Sequence, residues 1–437
     1  MRLYKKTMLR YHPFMKKKPL FAIPSFPGSN GEVDNMRVLK RCGFDAFVFR
    51  WNDSTEKLKD VDGYFFGAGF SYEDRGRSGM VAARDPLFDF MRLEAEKGKV
   101  ILGNCNGAQV LIESGLIPLG DKLRMCLARN AIRESDGNWK SPGFLNEWVW
   151  ITPACKPDRC ATSDWKGTLH IPIAHGEGRF VTRDPDLIAE LEKNDQIAFR
   201  YCTADGVPSA QAPFTPNGST NAIAGICNAA GNVVALMPHP ERTVNGDPYF
   251  LSVLQWMQKR KVESGKLTVK SEKSEKLPTN HYPLTTRNPL PTEIFIDTII
   301  TNNEERTVEQ AARRIEPKLR LKQYRFIGLR NDRSTELLSS LSFFNPNKEV
   351  AYVRSGGVFH KWNADTHRLE KSSHRVLTGI QLLRRDEPDT GAAAIGDGSE
   401  TGICYDCREI NASALDNAKV CEVFCNPHSS SLEKLSL

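Results

Sequence analysis

No stretch of the 437-residue chain approaches the ~20 consecutive apolar residues that cross a bilayer, and the mean hydropathy is −0.43, so a helical membrane span is excluded. Glycine is too scarce for a collagen-like fibre, heptads are missing, and 40% hydrophobic residues is too many for a wholly disordered chain. Charge of one sign is not in marked excess. A net +7 permits an anionic ligand without indicating nucleic acid. There is no Walker-type phosphate loop and no internal repeat. No secretory signal accompanies the eleven cysteines, an odd count that favours reduced thiols over a disulfide framework. Residues 1–18 contain Arg2, Lys5, Lys6, Arg10 and Lys16 to Lys18 but no acid. An organelle-targeting peptide has that look, but a start at Met15 is the plainer reading. The expected compartment is the cytoplasm.

What is present is organised. The length implies two or three domains. From Leu20, short apolar runs alternate with helical periodicity: strands at 21–26, 45–51, 61–66 and 100–102, helices at 33–42 and 87–97. That alternation predicts a mostly parallel sheet wrapped by helices. Beyond residue 144 the strands read as antiparallel, at 148–152, 170–174 and 197–202, with a hairpin over 222–237 and a closing helix over 249–261. Lys, Ser, Glu, Thr and Pro dominate residues 262–291, which reads as a linker. Residues 292–437 are long enough for a domain of their own.

Lys99-Val100-Ile101-Leu102-Gly103-Asn104-Cys105-Asn106-Gly107 places a cysteine where a strand meets a helix, with glycine at plus and minus two. This is the spacing of a nucleophile elbow with cysteine in place of serine. The flanking glycines permit the sharp turn, and the helix start beyond it favours an anion there. A buried structural cysteine is the plainer use of a lone thiol, and the spacing argues against it. A nucleophile needs a base and the base an orienting group. Met237-Pro238-His239-Pro240-Glu241 offers both, with prolines fixing the backbone around His239.

On these residues, positions 19–261 resemble the class I, triad-type glutamine amidotransferases, most closely the glutaminase subunits of phosphoribosylformylglycinamidine synthase in purine biosynthesis. Pro27 to Asn30, Gly69 to Tyr72, Gly103 to Gln109, Ile171 to Phe180 and Gly231 to Arg242 carry the resemblance. The Ala174-His175-Gly176-Glu177-Gly178-Arg179-Phe180 stretch narrows it to the purine enzyme. The resemblance implies a flavodoxin-like α/β domain with a central, mostly parallel sheet. It also implies that Cys105 forms a glutamyl thioester, that His239 moves the protons and that Glu241 orients His239. The backbone N–H groups of Gly69 and Asn106 would form the oxyanion hole, and Gln109 would shape the substrate pocket. His175 and Arg179 would face a partner. Ala68 replaces the usual glycine of this loop, and Glu73-Asp74-Arg75-Gly76-Arg77 departs from the commoner form.

The implied glutaminase needs no cofactor. ATP and Mg would bind a synthetase partner, joined by a small accessory subunit, to which ammonia is delivered. Residues 292–437 read as a C-terminal α+β domain whose β-α-β start (293–301, 305–315, 322–329) resembles that accessory subunit; an unrelated domain is the alternative. Cys404 and Cys407, then Cys421 and Cys425, are spaced like a structural zinc site, although small core cysteines explain them equally well. His360, His367 and His374 read as solvated side chains. Two other functions stay open: an amidotransferase for another acceptor, and a non-catalytic regulatory or binding protein on this scaffold.

Overall fold

The computed structural model describes residues 17–118, 122–263, 284–372 and 376–436. The first part is built on β1 (Leu20–Ser25), α1 (Glu32–Arg41), β2 (Asp45–Arg50), β3 (Gly63–Phe66), α2 (Leu87–Glu96), β4 (Val100–Asn104) and α3 (Asn106–Glu113). It continues through β5 (Cys126–Arg129), β6 (Leu145–Pro153), β7 (Leu169–His175), β8 (Glu177–Val181), α4 (Leu187–Lys193), β9 (Ile197–Cys202), β10 (Ile223–Cys227), β11 (Val233–Leu236) and α5 (Asp247–Glu263). Nine strands form one sheet in the order β2-β1-β3-β4-β11-β10-β9-β6-β7. The pairings from β2 to β11 are parallel and those from β11 to β7 antiparallel.

Every residue of β3, β4 and β11 is buried. That is why these segments read as unbroken apolar runs: a parallel strand covered on both faces has no solvent side to alternate with. One face carries a core with Phe66, Leu87, Met91 and Leu111 from the α2 and α3 side; the other packs Val38, Leu39, Phe250 and Val253 from α1 and α5. In α1, Glu32 and Asp34 sit in the first turn and Lys40 and Arg41 in the last, each complementing the helix dipole.

The C-terminal region comprises β12 (Thr285–Arg287), β13 (Thr292–Thr298), α6 (Asn303–Arg313), β14 (Arg320–Leu329), α7 (Ser334–Ser339), β15 (Glu349–Ser355), β16 (Val358–Asn363) and β17 (Arg368–Lys371). β18 (Ile380–Asp386), α8 (Thr390–Ile395), β19 (Glu400–Arg408), α9 (Ala418–Phe424) and β20 (Ser430–Leu435) complete it. Its strands make a second nine-stranded sheet, β12-β20-β18-β19-β14-β13-β15-β16-β17, antiparallel except for the β12–β20 pair. The Asn302 side chain caps α6 by accepting from the Glu305 amide. Of the stretch read as a linker, residues 264–283 lie outside the described residues, as do residues 1–16 of the basic tail and His374.

The two regions share a core. Met80 and Val81, on the loop after β3, are buried in one cluster with Val308, Ala311, Val423 and Phe424. Arg77 sits at this seam. It makes a two-pronged ion pair with Glu113 (2.8 and 2.6 Å) and donates to the carbonyls of Glu422 (2.6 Å) and Val423 (3.1 Å).

Candidate active site

The turn at Cys105 follows from close approach. A Cβ at Gly103 would lie 2.6 Å from the Gly107 carbonyl oxygen, and one at Gly107 would lie 2.0 Å from that of Phe66. Only glycine lets α3 start this close to the sheet. Cys105 itself is held at φ 51°, ψ −110°, a strained conformation for a residue with a side chain. Its amide donates to Leu236 O (2.9 Å), and its carbonyl accepts from Gln109 (3.1 Å). The thiol is buried (5% exposed) and lies 3.6 Å from the Ala174 carbonyl oxygen at the end of β7.

His239 leaves β11 between its two prolines, and its amide donates to Pro172 O (2.9 Å). Its Nδ1 lies 2.6 Å from Glu241 Oε1, with both side chains fully buried, while Nε2 has no hydrogen-bond partner among the described residues. Burial opposes charge on this imidazole, but the Cys105 and Glu241 charges outweigh it and push the pKa up to about 10. Burial also opposes charge on Glu241, and the neighbouring His239 more than compensates, holding that carboxyl below its usual range. The imidazole is therefore held by a carboxylate that stays ionised.

Asn104, the residue before the nucleophile, donates to Glu241 Oε2 (3.1 Å). The sequence reading did not include it. Asn106 directly follows Cys105, and Gly69 lies on the loop after β3; among the described residues, neither backbone N–H donates to a protein acceptor. The Asn106 side chain accepts from Ser71 N (3.1 Å) and donates to Gln109 Oε1 (2.9 Å) and Asp74 Oδ1 (3.3 Å). Gln109 Nε2 donates to Glu177 O (2.5 Å), so its amide joins α3 to β8.

Two residues expected at a partner surface lie elsewhere. His175 is 2% exposed, neither ring nitrogen has a hydrogen-bond partner among the described residues, and a Cβ at Gly178 would lie 2.3 Å from its ring. Burial and then the His239 charge push its pKa down to about 3, so it is a neutral ring beside the base. Arg179 donates to Arg129 O and to Glu387 O, both at 3.0 Å; the second belongs to the chain's own C-terminal region.

The zinc expectation is corrected. Cys404 packs in the cluster with Phe295 and Phe326, whereas Cys407 packs with Leu321 and Phe424 in another cluster. Three positions apart on β19, the two point to opposite faces of the sheet. Cys421 donates to Leu415 O (3.2 Å) and Cys425 to Ser430 O (3.3 Å). Among the described residues no group of three or more His, Cys, Asp or Glu is placed to hold a metal ion, and no helix is long and apolar enough to cross a membrane.

A buried cysteine on a strand-to-helix turn, with a His–Glu pair on the neighbouring strand end, is the constellation of a cysteine-dependent amidohydrolase on an α/β sheet. The chain belongs to the family of the CobB/CobQ-like glutamine amidotransferase domain, which matches residues 18–266, and it is an enzyme of that class. It is similar to the phosphoribosylformylglycinamidine synthase subunit PurQ of Methanothrix thermoacetophila, 42% identical over 224 residues, covering 51% of this chain and 85% of the relative. It is similar too to the subunit PurQ of Thermomicrobium roseum, 42% identical over 232 residues, covering 52% and 90%. Among solved structures, one chain of PurLQS from Thermotoga maritima matches at 31% identity, with a TM-score of 0.42, covering 55% of this chain and 99% of that one.

Proposed function

We propose that this chain is the glutaminase component of phosphoribosylformylglycinamidine synthase, in purine biosynthesis, and that residues 19–261 carry the chemistry. The single observation that supports the chemistry best is the buried 2.6 Å contact of His239 with Glu241 beside an elbow cysteine. The names of the relatives support the pathway.

In the reaction, His239 takes the Cys105 proton and the thiolate attacks the side-chain amide carbon of glutamine. The tetrahedral oxyanion is met by the N–H groups of Gly69 and Asn106. His239 then gives its proton to the departing nitrogen, the C–N bond breaks, and ammonia leaves a glutamyl thioester. Water, deprotonated by His239, opens the thioester to glutamate and restores the thiol. Ammonia passes to a synthetase partner, assembled with a small accessory subunit, that binds ATP, Mg and the formylglycinamide ribonucleotide.

Glutamate release from glutamine by the purified chain tests this, alone and with the cognate synthetase, ATP and formylglycinamide ribonucleotide. The expected result is release that rises strongly in the complete mixture and disappears in Cys105→Ala. No release in either condition from the folded chain would reject the proposal.

A further inference from the structure

The loop that leaves the oxyanion glycine is unusual in its backbone. Tyr72, Glu73 and Asp74 have φ of 53°, 58° and 53°: three successive residues with side chains in the left-handed region. Each such residue is strained by its Cβ, so a run of three stays only where neighbours hold it from both ends. At the near end the nucleophile helix does so, since Asn106 bonds both Ser71 N and Asp74 Oδ1.

The far end is held by the C-terminal region. Arg384 Nη1, on β18, donates to Gly76 O (2.6 Å). Glu304 Oε1, at the start of α6, accepts from Gly76 N (3.3 Å), and Thr307 Oγ1 accepts from Arg75 (2.9 Å). Gly76 lies against α6 so closely that a Cβ there would be 3.1 Å from a Val308 methyl. Arg384 is itself fixed, buried and bonded to the Tyr405 hydroxyl (3.3 Å). The short path from Arg384 through Gly76 and Asp74 to Asn106 ends on one of the two proposed oxyanion donors.

On the reading that the chain hydrolyses glutamine, we infer that the C-terminal region is a positioning element of the glutaminase. Through Arg384, Glu304 and Thr307 it fixes the loop 69–77 against the nucleophile helix. Its role is to keep the Gly69 and Asn106 amides in register with the developing oxyanion. An oxyanion donor acts on the transition state, so loosening it lowers kcat and leaves KM for glutamine nearly unchanged.

The test uses the full chain in the complete reaction mixture. In Arg384→Met, kcat for glutamate release is expected to fall by about tenfold or more, a fraction of the loss seen when an oxyanion donor is deleted. The KM for glutamine should stay within about twofold, with substantial recovery in Arg384→Lys, which keeps a donor for Gly76 O. Alkylation of Cys105 by iodoacetamide, read at the Cys105 peptide, needs no oxyanion hole and should proceed at the wild-type rate. If Arg384→Met fails to fold, the Glu304→Ala, Thr307→Val double variant is read the same way, with a smaller loss expected. Unchanged kcat in these variants overturns the inference while leaving the glutaminase reading intact. Parallel loss of alkylation and turnover overturns it as well, by showing general loosening. A wild-type chain that releases no glutamate removes both.

Discussion

The Asn104 amide donates to the Glu241 carboxylate at 3.1 Å, linking the residue just before the proposed nucleophile to the acid bonded to its proposed base. One turn of chain therefore touches both halves of the proposed catalytic pair. Asn104 Oδ1 also accepts from the Tyr249 hydroxyl (3.4 Å), so the amide is spent on both sides. A hydrogen bond to a buried carboxylate contributes about 1.5–3 kcal/mol, and Asn104→Ala should lower kcat by about tenfold or more, with the fold retained. Steady-state glutaminase kinetics beside circular dichroism would check it.

Because the fold raises the His239 pKa from 6.5 to about 10, the stabilisation from its charged form is complete below the lower value and is lost as pH rises through the higher one. The melting temperature should fall across that window, more steeply in the wild type than in Cys105→Ala, which removes the Cys105 contribution to the raised imidazole pKa. NMR titration of the imidazole should show a lower His239 pKa in the variant.

Asp74 behaves in the opposite way for a carboxylate. Burial, then the nearby Glu177 charge, push its pKa from 3.8 up to about 7. The neutral acid is the form the fold favours, so its contribution is present at the acidic end of that interval and disappears as pH climbs to neutrality. Asp74→Asn should gain on the wild type in melting temperature progressively between those two pH values and hold a constant lead above them.

Arg77 and Glu113 are both buried, and their pairing, with the Glu422 and Val423 carbonyls, compensates the guanidinium charge; Arg84 also approaches Glu113 at 3.9 Å. Asn426 adds a donor to Glu113 at 2.8 Å. Glu113→Ala strands the arginine and should cost about 3–5 kcal/mol in urea unfolding, whereas Arg77→Met with Glu113→Leu should recover most of that loss.

The elbow was legible because glycine at both flanks is a steric demand written directly into the sequence, and His239 because prolines bracket it. Asn104 was not, since nothing in the sequence marks a polar strand end as a second partner of a distant glutamate. The left-handed run at Tyr72 to Asp74 left no trace either, because its only glycines lie outside it. The cysteine pairs misled for a different reason. Their spacing suits a loop knuckle, but Cys404 and Cys407 lie in a strand whose two-residue period puts positions three apart on opposite faces. The parity of that spacing was available, once Ile403 to Cys407 was read as a strand.

A direct check follows from the same geometry. Dialysis against a chelator should leave the melting temperature unchanged, and elemental analysis should find zinc far below one atom per chain.

In the C-terminal region, β12 and β20 lie side by side. Thr285 pairs with Glu433 and Arg287 with Leu435 in parallel, and Ser436 N donates back to Arg287 O at 3.0 Å. Pairing the first strand of the sheet with the last joins its sequence-distant ends at one edge without rethreading the strands between them. In that sense β12 and β20 act as a clasp on the sheet's edge, while Met80 and Val81, buried among Val308 and Phe424, weld the clasped region to the first.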